Sequence, residues 1–140
     1  MKAILLGGAA GGFITPDVLD LPLSFEGARA AGVTLGSGVV MVFDESVDMV
    51  DIVLRIAAFF RDESCGQCVP CRVGTVRQEE ALRRLVDGGE NSSRQRDFLL
   101  LDEIAQVMRD ASICGLGQTA ASAVQSAVKQ LHVLEGGGRP

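Results

Sequence analysis

Apolar positions along the chain change their period near residue 45. Before it they come as short runs set between glycines and prolines, Ala3-Ile4-Leu5-Leu6 and Val39-Val40-Met41-Val42-Phe43. Runs of this length bounded by turn residues predict buried strands, and the β-branched second run is the stronger of the two. Between them, Gly7-Gly8-Ala9-Ala10-Gly11-Gly12 predicts turns, because glycine tolerates positive φ. Thr15-Pro16-Asp17 and Leu21-Pro22-Leu23 predict further turns or extended pieces. Ser24 or Phe25 through Ala31 predicts one or two helical turns closed by Gly32.

Beyond residue 45 the apolar period lengthens to three and four. Glu45-Ser46-Val47-Asp48 offers capping oxygens, and Met49, Ile52, Val53, Ile56, Ala57 and Phe60 then form one face of a first helix. Gly66 and Pro70 are expected to stop it. A second helix is predicted from a Thr75 cap through Val86, ending at Gly88-Gly89. Its Leu82, Leu85 and Val86 face inward, and Arg77, Glu79, Glu80, Arg83 and Arg84 supply a solvated face. Residues 88–96 read as an exposed polar loop. A third helix starts at Asp97, with Phe98, Leu101, Ile104, Ala105 and Met108 on one side. Thr119 caps a fourth, striped by Ala120, Val124, Ala127, Val128, Leu131 and Leu134 and ended by Gly136-Gly137-Gly138. Four helices with short connections predict a four-helix bundle over residues 46–135, followed by a disordered tail over 136–140. The fold class is therefore α+β.

The loops after the first and third helices fall at the same end of an up-and-down bundle, and those loops hold all four cysteines. Cys65, Cys68 and Cys71 lie within seven residues, spaced Cys-x2-Cys-x2-Cys, and Cys114 stands alone far downstream. Three thiols in one loop can curl around a centre that a distant fourth closes. Thiolates suit iron–sulfur clusters, zinc and cuprous copper alike, so the ligand type leaves the metal open. The spacing favours a [4Fe–4S] cluster, which ferredoxin-type loops hold in this way. Structural zinc sites bring ligands in two pairs, often with histidine, and the one histidine, His132, is elsewhere on the fourth helix, facing solvent. A zinc-stapled structural or interaction module without redox role is the alternative. Buried structural thiols or a disulfide fit poorly with the loop composition around Gly66, Gln67, Pro70, Arg72 and Gly74. Gly66 and Gly115 allow backbone N–H groups close to sulfur, and Gln67 belongs to the same surrounding shell. Arg72 either offsets cluster charge or makes a surface salt bridge. Glu63 and Ser64 are read as capping or pinning the loop.

Other chemistries find little support. The net charge of −5 opposes binding of nucleic acid through phosphates, and with no Trp or Tyr there is no stacking platform. Apolar runs break well before the roughly 18 residues of a membrane span, and the one after Met1-Lys2 is too short for a signal peptide. No phosphate-loop, Gly-x-Gly-x2-Gly or Gly-x-Ser-x-Gly motif occurs. Glu79-Glu80 and Asp102-Glu103 read as solvated helix faces. No residue is assigned a catalytic role.

The stretch Glu63-Ser64-Cys65-Gly66-Gln67-Cys68-Val69-Pro70-Cys71-Arg72-Val73-Gly74-Thr75, with Ser112-Ile113-Cys114-Gly115-Leu116-Gly117, closely resembles the carboxy-terminal part of the NADH-binding flavoprotein subunits. That family includes subunits of respiratory complex I, NAD-dependent formate dehydrogenases and NAD-reducing hydrogenases. Gly7-Gly8 through Leu19-Asp20-Leu21-Pro22-Leu23 to Leu35-Gly36-Ser37-Gly38 is similar to the family's β-grasp (SLBB-like) domain. The resemblance covers nearly the whole chain. It implies a partial β-grasp segment over residues 1–45. It also implies that Cys65, Cys68, Cys71 and Cys114 hold a [4Fe–4S] cluster taking single electrons from a reduced flavin and passing them to further clusters. The family's FMN and NAD(H) sites lie in an amino-terminal region that these residues lack. The resemblance therefore implies a fragment or a split subunit, completed by a flavin-bearing partner and further iron–sulfur subunits. The expected location is cytoplasmic, or the cytoplasmic face of a membrane through a complex. A freely diffusing ferredoxin-like carrier is disfavoured by the apolar half β-grasp.

Overall fold

The computed structural model describes residues 1–88 and 91–135. Three strands, β1 (Ala3–Leu6), β2 (Gly12–Ile14) and β3 (Val40–Phe43), form one antiparallel sheet in the order β2-β1-β3. β1 pairs with β2 through Leu5↔Phe13 and with β3 through Leu5↔Met41. Side chains alternate across the pleat. Ala3, Leu5, Phe13 and Phe43 therefore face the helices, while Ile4, Leu6 and Ile14 pack with Ala28 and Val33 in a smaller cluster on the other side. Ala28 belongs to α1 (Phe25–Ala30), which the Ser24 hydroxyl caps by accepting from the Gly27 N–H at 3.0 Å. The strands at 3–6 and 40–43 and this short helix follow the sequence expectation. β2 does not: three residues beside a glycine run are too few to show a period.

The remaining elements are α2 (Met49–Glu63), α3 (Val69–Val86), α4 (Asn91–Ala111), α5 (Gly115–Thr119) and α6 (Ser122–Leu131). Asp48 caps α2, its carboxylate accepting from the N–H groups of Val50 and Asp51. The face read from the period of α2 is the buried one: Met49, Val53, Ile56, Ala57 and Phe60 join Leu82, Leu85, Leu101, Ala105, Met108, Val124 and Ala127 in a core that continues onto the sheet. Fully burying each Leu or Met contributes roughly 1.5–3 kcal/mol. Two side chains tie the elements together at polar points. Ser126 Oγ accepts from the Phe13 N–H at 2.8 Å, fixing α6 to β2, and Gln78 Nε2 donates to the Ala120 carbonyl at 3.1 Å.

Several boundaries differ from expectation. Pro70 does not stop a helix but sits in the first turn of α3, where the absent N–H costs nothing. Thr75 lies buried inside that helix, its hydroxyl donating to the Cys71 carbonyl at 2.9 Å instead of capping. Residues 91–96 are helical, not loop, with Gln95 and Arg96 exposed on α4, while Arg94 donates to the Leu85 carbonyl at 2.7 Å and to that of Leu134; residues 89 and 90, also read as loop, lie outside the described residues. The fourth predicted helix is α6, which starts at Ser122 and closes at His132 in the left-handed region at φ 51°; Thr119 does not cap it but ends α5, a short helix in the predicted Cys114 loop. Glu79, read as solvated, is only 4% exposed and is held by Arg61 and Arg83. The predicted tail at 136–140 lies outside the described residues. Among the described residues no helix is long and apolar enough to cross a membrane.

Candidate metal centre

Three cysteines occupy the turn between α2 and α3. The chain leaves α2 at Glu63, reverses at Gly66 with φ +75°, and enters α3 through Cys68 in an extended conformation. That positive φ is one an L side chain rarely adopts, which is why glycine stands between Cys65 and Cys68. Cys68 is the residue flanking the α3 start and Cys71 lies in its first turn. Cys114 holds the same flanking position before α5. Helix starts present unpaired N–H groups and a partial positive charge.

The two cysteine segments meet at Cys68. The backbone N–H groups of Ile113 first and of Cys71 next hold its thiol below the ordinary range, and the Ser112 hydroxyl lies nearby. Cys71 is buried at 5% exposure, with the Ser64 Oγ 3.2 Å from its sulfur. Gly117 closes the floor. A Cβ there would stand 2.9 Å from the Cβ of Cys71 and closer still to the Ser112 Oγ, so only glycine lets α5 approach so closely. The Ser112 carbonyl accepts from Gln118 Nε2 at 3.0 Å, fixing this segment against α5.

The remaining predicted residues are more open. Cys65, Cys114, Gly115, Gln67 and Arg72 are exposed. Arg72 lays its Cδ beside Gly66 and enters no salt bridge among the described residues. All four cysteines are free thiols. Among the described residues no three His, Cys, Asp or Glu side chains converge into a group for a single metal ion. The donor set nonetheless fits a thiolate-ligated group: N–H donors aimed at Cys68, a hydroxyl at Cys71 and a glycine floor. Sequence reasoning missed Ser112, the Ile113 N–H, Gly117 and the contact of Ser64 with Cys71. Their signal was adjacency to the cysteines, which cannot tell which hydroxyl turns inward.

His132, expected on the fourth helix toward solvent, is exposed and pairs with Glu135 at 2.9 Å. It takes no part in the centre.

Comparison with known proteins agrees with this geometry. Residues 51–132, more than half of the chain, match the NADH-ubiquinone oxidoreductase-F iron-sulfur binding region. The F subunit of the NADH-quinone oxidoreductase of Mycobacterium bovis is 40% identical over 139 residues, covering 96% of this chain and 31% of that protein. The HndC subunit of the NADP-reducing hydrogenase of Solidesulfovibrio fructosivorans is 34% identical over 125 residues, covering 89% of this chain and 25% of that protein. A crystal structure of an NAD+-reducing [NiFe]-hydrogenase in the H2-reduced state superposes with a TM-score of 0.75 at 33% identity, over 95% of this chain and 23% of that one. The chain thus spans under a third of the length of these relatives. With the matched region running from α2 to the close of α6 and enclosing both cysteine segments, the chain belongs to the NADH-ubiquinone oxidoreductase-F iron-sulfur binding family.

Proposed function

We propose that this chain is the iron–sulfur electron-transfer module of an NAD(H)-linked oxidoreductase, with Cys65, Cys68, Cys71 and Cys114 as the ligands of a [4Fe–4S] cluster. The observation that carries the reading is the close approach at Gly117. A Cβ there would stand 2.9 Å from the Cβ of Cys71, so the Cys-x2-Cys-x2-Cys turn lies against the segment that supplies Cys114. When bound, a cluster with four cysteinate ligands supplies one-electron transfer and has no open position for substrate. The chain's own residues do the rest. Backbone N–H groups surround the Cys68 thiol, Cys71 buries one ligand, and Gly66 and Gly117 shape the turn and the floor.

In this reading residues 46–135 are the cluster-binding four-helix domain, and residues 1–45 are a partial β-grasp segment. FMN and NAD(H) bind on polypeptide beyond these 140 residues, and single electrons pass from the reduced flavin through this centre to further iron–sulfur subunits. The names of the relatives, subunits of an NADH-quinone oxidoreductase and of an NADP-reducing hydrogenase, support a multisubunit complex, which this reading places in the cytoplasm or at its membrane face. No residue of the chain is assigned to hydride transfer.

Low-temperature EPR of the chain purified anaerobically and reduced with dithionite tests the proposal, with iron and sulfide counted on the same sample. A fast-relaxing signal with about four irons per chain is expected. A silent, iron-free chain holding stoichiometric zinc overturns it in favour of a structural staple.

A further inference from the structure

Ser112 is a buried polar side chain with no ordinary reason to be there. It is 6% exposed, and its Oγ finds no partner of hydrogen-bond geometry. Buried hydroxyls without partners are rare, because desolvation of the group goes uncompensated. What surrounds this one is sulfur. It faces the Cys68 thiol, and a Cβ at Gly117 would crowd both its Oγ and the Cβ of Cys71. Ser112 is therefore pressed into the angle between two of the cysteines, with its backbone fixed by Gln118. Ser64 stands beside Cys71, with Oγ to Sγ at 3.2 Å. The Ser64 Oγ also takes up the Gly66 N–H at 3.4 Å, which leaves its own proton to point at the sulfur.

We infer that the hydroxyls of Ser112 and Ser64 are hydrogen-bond donors to the ligand sulfurs of Cys68 and Cys71, positioning residues that raise the reduction potential of the centre. The inference rests on the cluster reading above and deepens it. A ligand thiolate is a better acceptor for a hydroxyl than a thiol, and a turn of the Ser112 hydroxyl toward it supplies the partner that side chain lacks. Adding one electron makes the ligand sulfurs more negative, and a donor stabilises that form more than the oxidised one. Hydrogen bonds to sulfur are among the factors that set such potentials. The residues are polar but uncharged, so they act without adding a surface charge.

The test is an EPR-monitored redox titration of the full chain, as wild type and as S112A, S64A and S112T, with iron and sulfide counted for each. S112A and S64A are expected to keep their iron and line shape and to titrate at lower potential. The equilibrium constant for reduction should fall severalfold each, a tenfold fall being about 59 mV for one electron. S112T, which keeps the hydroxyl, should titrate close to wild type. In the reduced state, an exchangeable-proton coupling seen by ENDOR in wild type should be lost in S112A. Loaded S112A and S64A chains with unmoved midpoints overturn this inference alone. If S112A sheds its iron, S64A decides by the same criterion. A wild type without iron or sulfide overturns the cluster reading and this inference with it.

Discussion

The helical core and the sheet edge handle apolar surface differently. In the helical region the apolar stripes close on one another: Leu82, Leu85, Val53, Met108 and Val124 are almost wholly buried. At the sheet, β3 offers Val40, Met41 and Val42 to solvent, the last at 63% exposure. Its outer edge has no strand beside it among the described residues. The difference is one of closure. A helix satisfies its own backbone and needs only a covered stripe, whereas a strand needs a neighbour on each side. The cysteines stand at two helix starts anchored on that packed core, which can keep ligands in register, although Val69 and Ile113 beside them are exposed.

The strongest way to break the comparison is at the ligands. Cys71→Ser is expected to reduce iron and sulfide to background while far-UV circular dichroism keeps its helical form; a variant that stays loaded would remove Cys71 from the ligand set. Next comes the core itself. Leu82→Ala should cost about 2–5 kcal/mol in urea denaturation, because the cavity opens among fully buried neighbours. Val42→Ala, at the exposed edge, should stay within about 0.5 kcal/mol in the same experiment. Equal losses at the two positions would mean that β3 is covered in solution and the contrast is false.

A smaller effect is expected at Glu79, whose buried carboxylate accepts from Arg61 on α2 and Arg83 on α3. Glu79→Ala should destabilise by about 1.5–3 kcal/mol, at the lower end because Arg83 regains water when released. Thermal melts would show it, and the loss should shrink in high salt only slightly, since the carboxylate is shielded. The smallest concerns the loop before α2. Asp44 accepts from the Ser46 hydroxyl first and its N–H second, which holds its carboxyl below the usual range. A lowered folded-state value means that stability is present above the unfolded value, about 3.9. It is lost as pH falls through the folded one. Ser46→Ala should therefore lower Tm slightly at neutral pH and leave it unchanged in acid; a deficit persisting in acid would point to another cause.

The helix faces were legible because period alone decides which side is apolar, and Met49 through Phe60 or Phe98 through Met108 are long enough to show it. The helix starts were less so. Pro70 can end one helix or begin another, and Thr75 can cap or sit inside; the choice fell to Cys68, whose extended backbone lets α3 begin before both. Polar residues 91–96 misled because composition cannot separate a loop from the wet face of a helix. At the candidate centre the cysteine spacing was plain, yet Ser112 and Gly117 carry no pattern of their own.

The chain's periodicities and its cysteine spacing by themselves determined which faces turn inward, where strands at 3–6 and 40–43 form, and the class of ligand available. Those are local properties, settled by side-chain chemistry within a few residues. Only the tertiary structure decided that Gly117 packs against Cys71, that Ser112 is buried beside the cysteines and that Glu79 is enclosed by two arginines. Each depends on the close approach of segments distant in sequence, and that approach is set by the packing of α3, α4 and α5 as whole bodies.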